Sequence, residues 1–94
     1  MHVVVRSYSG PGTSDLFDAM EQREQEVKEL IRGVPGFVSY AAFRHGDGVT
    51  TVTACDDKAG TEESSKRAAA WIQENVGAPV DPPEISEGST FIQF

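Results

Sequence analysis

The stretch from Gly33 to Gly60, GVPGFVSYAAFRHGDGVTTVTACDDKAG, holds two strand-like segments joined by a tight turn. Residues 37–44 and 49–55 are the segments, and the pair Asp47-Gly48 supplies the positive φ angles that short hairpins need. Apolar groups occupy both faces: Phe37, Ala41 and Phe43 share one, and Val38, Tyr40 and Ala42 share the other. Half-solvated strands alternate cleanly, so this hairpin indicates a sheet covered on both sides.

The rest of the chain completes a regular order of elements. A strand is predicted over residues 2–8, a helix from 13 or 14 to about 32, a second helix over 61–76 and a final strand over 85–94, with Gly88 as a bulge. In the second helix the predicted buried stripe is Ala68, Ala69, Ile72 and Val76, with Trp71 at its edge. The order predicts one α+β domain, residues 1–94, with the ferredoxin-like βαββαβ arrangement: a four-stranded antiparallel sheet with two helices on one face.

The strand pattern also predicts a partner. Two helices cover one face of such a sheet, yet apolar groups occur on both sides of every predicted strand. A second copy of the sheet is the simplest cover, so we expect a homodimer. A monomer with an apolar open face is the competing interpretation.

Composition excludes several classes of partner. Eight basic against fifteen acidic side chains give a net charge of −7, which disfavours nucleic acids and anionic membrane surfaces. The single cysteine, Cys55, cannot form an internal disulfide, which favours a reducing cytoplasm. No long apolar stretch is present, so neither a secretory nor a membrane-spanning segment is expected.

Two stretches carry a resemblance to a known family. The segments VPGFVSYAAFR and DGVTTVTACDDKAGTEESSKRAAAWIQENV, with PPEISEG before the last strand, resemble antibiotic biosynthesis monooxygenases among the dimeric α+β barrels. The resemblance implies a homodimer whose two sheets close into a barrel, with a pocket between sheet and helices in each subunit. It also implies two activities: cofactor-free oxidation of polycyclic phenols to quinones, and oxidative breakdown of haem. Haem breakdown in such proteins uses a histidine beyond the helix tryptophan. No histidine follows Trp71, which argues against haem breakdown.

The candidate ligand-binding residues are Trp71, Tyr40, Phe43, Arg44 and His45. Trp71 either stacks on a planar aromatic substrate or is a core residue, and the core is the commoner place for tryptophan. His45 either acts as a base or is a solvated turn residue.

Tyr8, Tyr40, Arg6 and Arg44 are candidates for orienting a phenol or stabilising its anion, and the alternative for the arginines is extension to solvent at strand ends. No residue is identified as catalytic. No metal is expected, because the acidic residues near Cys55 match no ligand loop. The resemblance to cofactor-free monooxygenases implies that no cofactor is needed.

Two hypotheses follow. The first is a small monooxygenase-like enzyme that oxidises an aromatic molecule without a cofactor. The second is a non-catalytic homodimer that binds a small molecule or has a structural role.

Overall fold

The computed structural model describes residues 1–94 and contains four strands and three helices. The strands are β1 (His2–Tyr8), β2 (Phe37–His45), β3 (Gly48–Cys55) and β4 (Glu84–Ser89); the helices are α1 (Thr13–Gln22), α2 (Glu24–Arg32) and α3 (Lys58–Asn75). Neighbouring strands are antiparallel and lie in the order β2-β3-β1-β4. This order confirms the predicted ferredoxin-like sheet.

All three helices pack on the same face of the sheet. The buried apolar cluster joins Tyr8 of β1 to Leu16 of α1, Val27 and Ile31 of α2, and Trp71 of α3. None of the helices combines the length and the apolar character of a bilayer-spanning segment.

The predicted first helix is two helices, α1 and α2, separated at Arg23. The backbone of Arg23 leaves the helical region, with φ −114° and ψ 34°. Leu16 and Val27 are eleven residues apart, which is close to three full helical turns. They would therefore lie on one face of a continuous helix, and their spacing does not reveal the break between them. The break lies in a polar stretch where that spacing carries no signal.

The hairpin differs from its prediction at both ends of β2. A bulge between Phe37 and Ser39 inserts Val38, so Phe37 pairs with Cys55 and faces the helices with Tyr40. The prediction that Phe37 shares a face with Ala41 and Phe43 is therefore wrong.

At the turn, the positive φ belongs to Gly46, at 55°, rather than to the Asp47-Gly48 pair. The shift of this role by one or two positions leaves the hairpin itself in place.

Helix α3 begins at Lys58, three residues before the predicted start. The Asp57 carboxylate caps it by accepting a hydrogen bond from the Ala59 N–H, at 3.1 Å. Its buried residues are Gly60, Thr61, Ser64 and Trp71, whereas Ala69 is exposed. Of the predicted stripe, Ile72 and Val76 pack against the apolar cluster and Ala68 is partly buried, so the prediction is wrong for Ala69 alone.

The face of the sheet opposite the helices is apolar at its centre. Its side chains include Val3 and Val5 of β1, Val52 of β3, and Ala41 and Phe43 of β2. Strand β4 contributes only Glu84, Ser86 and Gly88 to this face, so the expectation of apolar groups on both sides of every strand fails for β4. Strand β4 also ends at Ser89 and has no bulge, because Gly88 pairs in register with Val3.

Gly60 brings the first turn of α3 close to Pro35 and to Cys55 at the end of β3. A Cβ atom there would lie 2.2 Å from the Pro35 carbonyl oxygen and 2.9 Å from the Cys55 sulfur. We expect Gly60→Ala to lower the free energy of unfolding by roughly 1–3 kcal/mol through overpacking. Thermal and denaturant unfolding measure this change. Gly77→Ala is the control, since a Cβ there meets nothing within 4 Å; equal stability of the two variants would contradict the prediction.

Candidate functional site

The sheet carries a buried arginine at the centre of its helix-facing side. Arg6 lies in the middle of β1 and is only 1% exposed. Its guanidinium donates four hydrogen bonds to hydroxyl groups: Nε to Thr51 at 3.2 Å, Nη2 to Thr53 at 2.6 Å, and Nη1 to Ser64 at 3.1 Å and Ser65 at 2.9 Å. The two threonines come from β3 and the two serines from α3, so the arginine connects the sheet to the helix.

No acidic side chain accompanies this charge. Arg6 takes part in none of the ion pairs of the structure. Burial lowers the pKa of Arg6, and the ionisable groups that influence it are Tyr8, Tyr40 and Cys55. A guanidinium nevertheless stays protonated at neutral pH, so the interior holds a cation surrounded by neutral groups.

The neighbouring groups are neutral because burial resists their ionisation. Burial raises the pKa of Tyr40 to about 12, with Arg6 acting in the opposite direction. Burial likewise raises the pKa of Tyr8, again against Arg6. The pKa of Cys55 is raised by burial first and then by Asp56 and Asp57. Both phenols are therefore hydrogen-bond donors at neutral pH rather than bases.

Trp71 lies in the core beside these tyrosines. It is 7% exposed, and its Nε1–H donates to Glu26 Oε1 at 2.7 Å. Trp71, Tyr8, Tyr40 and Thr51 border a cavity of about 30 Å³, room for about one water molecule. Of the two interpretations of Trp71, the core position is the one observed, with the indole facing this small cavity.

Two larger clefts open on either side of that cavity. The cleft on the β4 side has a volume of about 570 Å³ and reaches Arg6, Tyr8 and Ser65. Its walls come from α3, the connection after it and β4, and are largely apolar: Ala69, Ile72, Val76, Ala78, Pro79, Val80, Pro82, Pro83 and Ile85. We call it the β4-side cleft.

The second cleft lies between α1, α2 and β2 and has a volume of about 500 Å³. Tyr40, Phe43 and Arg44 line it, as do Phe17 and Met20. The Arg44 guanidinium stacks on the Phe17 ring, with 4.5 Å from Cζ to the ring centroid. We call it the β2-side cleft.

The structure separates the five predicted ligand-binding residues. Tyr40 and Arg44 line the β2-side cleft from the helix-facing side of β2, and Trp71 meets only Tyr40, at the small cavity. Phe43 borders the same cleft at the sheet edge, but its side chain is on the open face of the sheet. His45 lies on this open face beside Phe43, with 5.6 Å between the ring centroids, and its Nε2 is 2.7 Å from the Thr50 hydroxyl.

For Arg6 and Arg44 the sequence leaves two interpretations open: stabilisation of a bound phenol or its anion, and extension to solvent. Arg44 is exposed near the end of β2, but Arg6 is fully buried. One signal was present: Arg6 has the same strand parity as Val4 and Tyr8, both of which are buried. The hydroxyl groups of Thr51, Thr53, Ser64 and Ser65 give no pattern by themselves.

Comparison with known proteins supports the fold. No family model and no curated protein sequence matches the chain. The ActVA-Orf6 monooxygenase of Streptomyces coelicolor, solved in complex with nanaomycin D, matches over 99% of this chain and 89% of its own, with a TM-score of 0.67 and 18% identity. A dimeric ferredoxin-like protein from an uncultured marine organism matches over 99% and 94%, with a TM-score of 0.67 and 7% identity.

SnoaB, a cofactor-independent oxygenase of Streptomyces nogalater, matches over 98% of this chain and 93% of its own, with a TM-score of 0.60 and 12% identity. The resemblance to antibiotic biosynthesis monooxygenases is thus confirmed at the level of the fold. At these identities the likeness does not extend to an activity.

The raised phenol pKa values predict an alkaline titration. The chain has two tyrosines, Tyr8 and Tyr40, so the ultraviolet absorbance of phenolate in the folded protein should appear above pH 10, with Tyr40 near pH 12. Since the folded pKa exceeds the unfolded value of about 10, the phenols contribute stability that is complete below about pH 10 and is lost as the pH rises toward the folded values. Denatured protein is the control. Half-ionisation of the folded protein at pH 10 would contradict the burial of these groups.

Proposed function

We propose that the protein binds a planar hydroxylated aromatic molecule in the β4-side cleft and supports its oxidation by dioxygen without a bound cofactor. The observation that carries this proposal is that the cleft joins an apolar wall to the guanidinium of Arg6 and the phenol of Tyr8. A fold shared with a cofactor-independent oxygenase and with a monooxygenase that binds nanaomycin D supports it.

The reaction requires the protein to position the ligand and to stabilise the negative charge on it. An electron-rich phenolate reacts with dioxygen itself: the ring is oxidised, one oxygen atom enters it as a quinone carbonyl and the other leaves as water. The Arg6 cation and the Tyr8 hydroxyl would stabilise negative charge on the ligand oxygen. Tyr40 and Trp71, behind Tyr8, would close the inner end against water.

A second candidate function is binding without turnover. It is favoured by the lack of a base near Arg6, whose ionisable neighbours are two phenols and a thiol with raised pKa values. In this case the predicted residues Tyr40 and Arg44 offer a further position for a ligand in the β2-side cleft, where Arg44 forms a cation–π pair with Phe17.

Oxygen uptake separates the two functions. We expect purified protein to consume dioxygen in the presence of dihydroxynaphthalenes or anthrone, with a quinone as product. Ala69→Trp should abolish the uptake, because Ala69 is exposed and lines the β4-side cleft. Ala70→Trp is the matched control, since Ala70 is exposed on the same helix and lines none of the three cavities described above.

Saturable binding of these compounds without oxygen loss would favour the binding function. Uptake that persists in Ala69→Trp would remove the β4-side cleft as the site of oxidation.

We further propose that a second copy of the chain covers the open face of the sheet. Phe43 is 52% exposed on that face, next to the partly buried valines Val3, Val5 and Val52. The dimeric state of a ferredoxin-like structure with this fold supports the proposal. An isologous pair would place these residues against one another around a twofold axis.

A charge at Phe43 tests this pairing. Wild-type protein should have the mass of a dimer by light scattering at micromolar concentration, and Phe43→Glu should shift it toward the monomer. Ile85→Glu is the matched control, because Ile85 is 47% exposed on the helix-facing side of the same sheet. A monomeric wild type, or equal dissociation of both variants, would overturn the proposal.

A further inference from the structure

The Arg6 guanidinium has a charge and a hydrogen-bond donor that the protein leaves unmatched. An arginine side chain carries five N–H groups. Four hydrogen bonds go to the hydroxyls of Thr51, Thr53, Ser64 and Ser65, and only one of them comes from Nη2. One Nη2 N–H therefore has no acceptor in the protein. No carboxylate lies within ion-pair distance of the side chain.

Such a group is costly without an anion. Removing a cation from water is unfavourable even after relaxation of its surroundings, and hydrogen bonds to neutral hydroxyls offset only part of this cost. The groups that influence Arg6 cannot provide the missing charge at neutral pH, since burial keeps Tyr8, Tyr40 and Cys55 protonated.

The same side chain is only 1% exposed, and the β4-side cleft is the one cleft that it borders. Arg6 and its partner Ser65 both line the β4-side cleft, whose other walls are mostly apolar. Asp81 is the only carboxylate that lines this cleft. It lies close to the backbone of Gly10, since a Cβ atom added to Gly10 would be 2.9 Å from Asp81 Oδ2. The cleft therefore presents an apolar channel with a cation at its polar end.

We propose that the ligand of the β4-side cleft is an aromatic anion whose ionised oxygen, a phenolate or a carboxylate, binds to Arg6. This inference rests on the proposed binding of a planar aromatic molecule and adds the charge that the ligand carries. The net charge of −7 repels anions in general, so binding of an anion by this chain would be specific to a local site.

Calorimetric titration with matched probes tests the inference. The probes are 2-naphthoate and its neutral methyl ester, with 4-nitro-1-naphthol, whose colour reports the phenolate. We expect naphthoate to bind about 10- to 100-fold more tightly than the ester, the fold-change that corresponds to a charged hydrogen bond. The bound nitronaphthol should ionise at a lower pH than the free dye. Tight binding of naphthoate indicates a carboxylate site, and a lowered pKa of the bound nitronaphthol indicates a phenolate site.

Arg6→Met should abolish the preference for naphthoate over the ester. Lys66→Met is the control, because it removes an exposed cation of α3 that lines none of the three cavities. If Arg6→Met does not fold, Ala69→Trp provides the test of the binding site. Ala69→Trp should block the binding of both naphthoate and its ester, whereas Ala70→Trp should bind them as the wild type does. Loss of the preference in Arg44→Met but not in Arg6→Met would place the anion in the β2-side cleft and overturn the inference.

The outcomes separate this inference from the proposed function. Equal affinity of wild-type protein for naphthoate and its ester overturns the inference and leaves aromatic binding intact. A preference for the anion that depends on Arg6, without oxygen uptake, supports the inference and removes the oxidation. Binding of neither probe overturns both.

Discussion

A buried guanidinium held by hydroxyl groups determines how the sheet and the helices meet. Because Arg6 occupies the helix-facing centre of β1, the residues around it are threonines of β3 and serines of α3 instead of large apolar groups. The apolar core is consequently displaced to one side, where Tyr8, Leu16, Val27, Ile31 and Trp71 pack together. The Arg6 network and this cluster meet at Tyr8, which belongs to the core and lines the β4-side cleft.

This arrangement links the site to the proposed assembly. The helix-facing side of the sheet uses polar residues where a small domain normally has its core, while the open side carries valines and Phe43. A domain of this size buries only a small apolar core, and its stability is correspondingly low. Apolar area buried against a second copy would therefore offset the free-energy cost of an interior cation. The site would then depend on the dimer through stability, without needing a residue from the partner.

The sequence predicted the element order and the hairpin because both rest on local signals: turn glycines, valine-rich strands and helix periodicity. It could not predict the break at Arg23, since the apolar spacing continues through it, nor the bulge at Val38, which reverses the side on which Phe37 lies. Of the β4-side cleft, it named Tyr8 and Arg6 as candidates for stabilising an anion, with extension to solvent as the alternative for Arg6. Tyr40 and Trp71, which it named for ligand binding, border the small cavity instead. The hydrogen bonds of Arg6 could not be predicted, because the four hydroxyl residues come from two distant segments. They contact Arg6 only when β1, β3 and α3 pack together.

The charge on Arg6 also bears on how an oxidation could proceed without a protein base. Phenol oxidation by dioxygen requires the phenolate, yet both tyrosines beside Arg6 have raised pKa values and His45 lies on the opposite face of the sheet. A fixed cation lowers the pKa of a phenol bound beside it, because it stabilises the anion. Water then suffices as the proton acceptor, at the open end of the cleft. Under the proposed function the cation would perform two tasks: it would select an acidic ligand, and it would keep that ligand in the form that reacts with dioxygen.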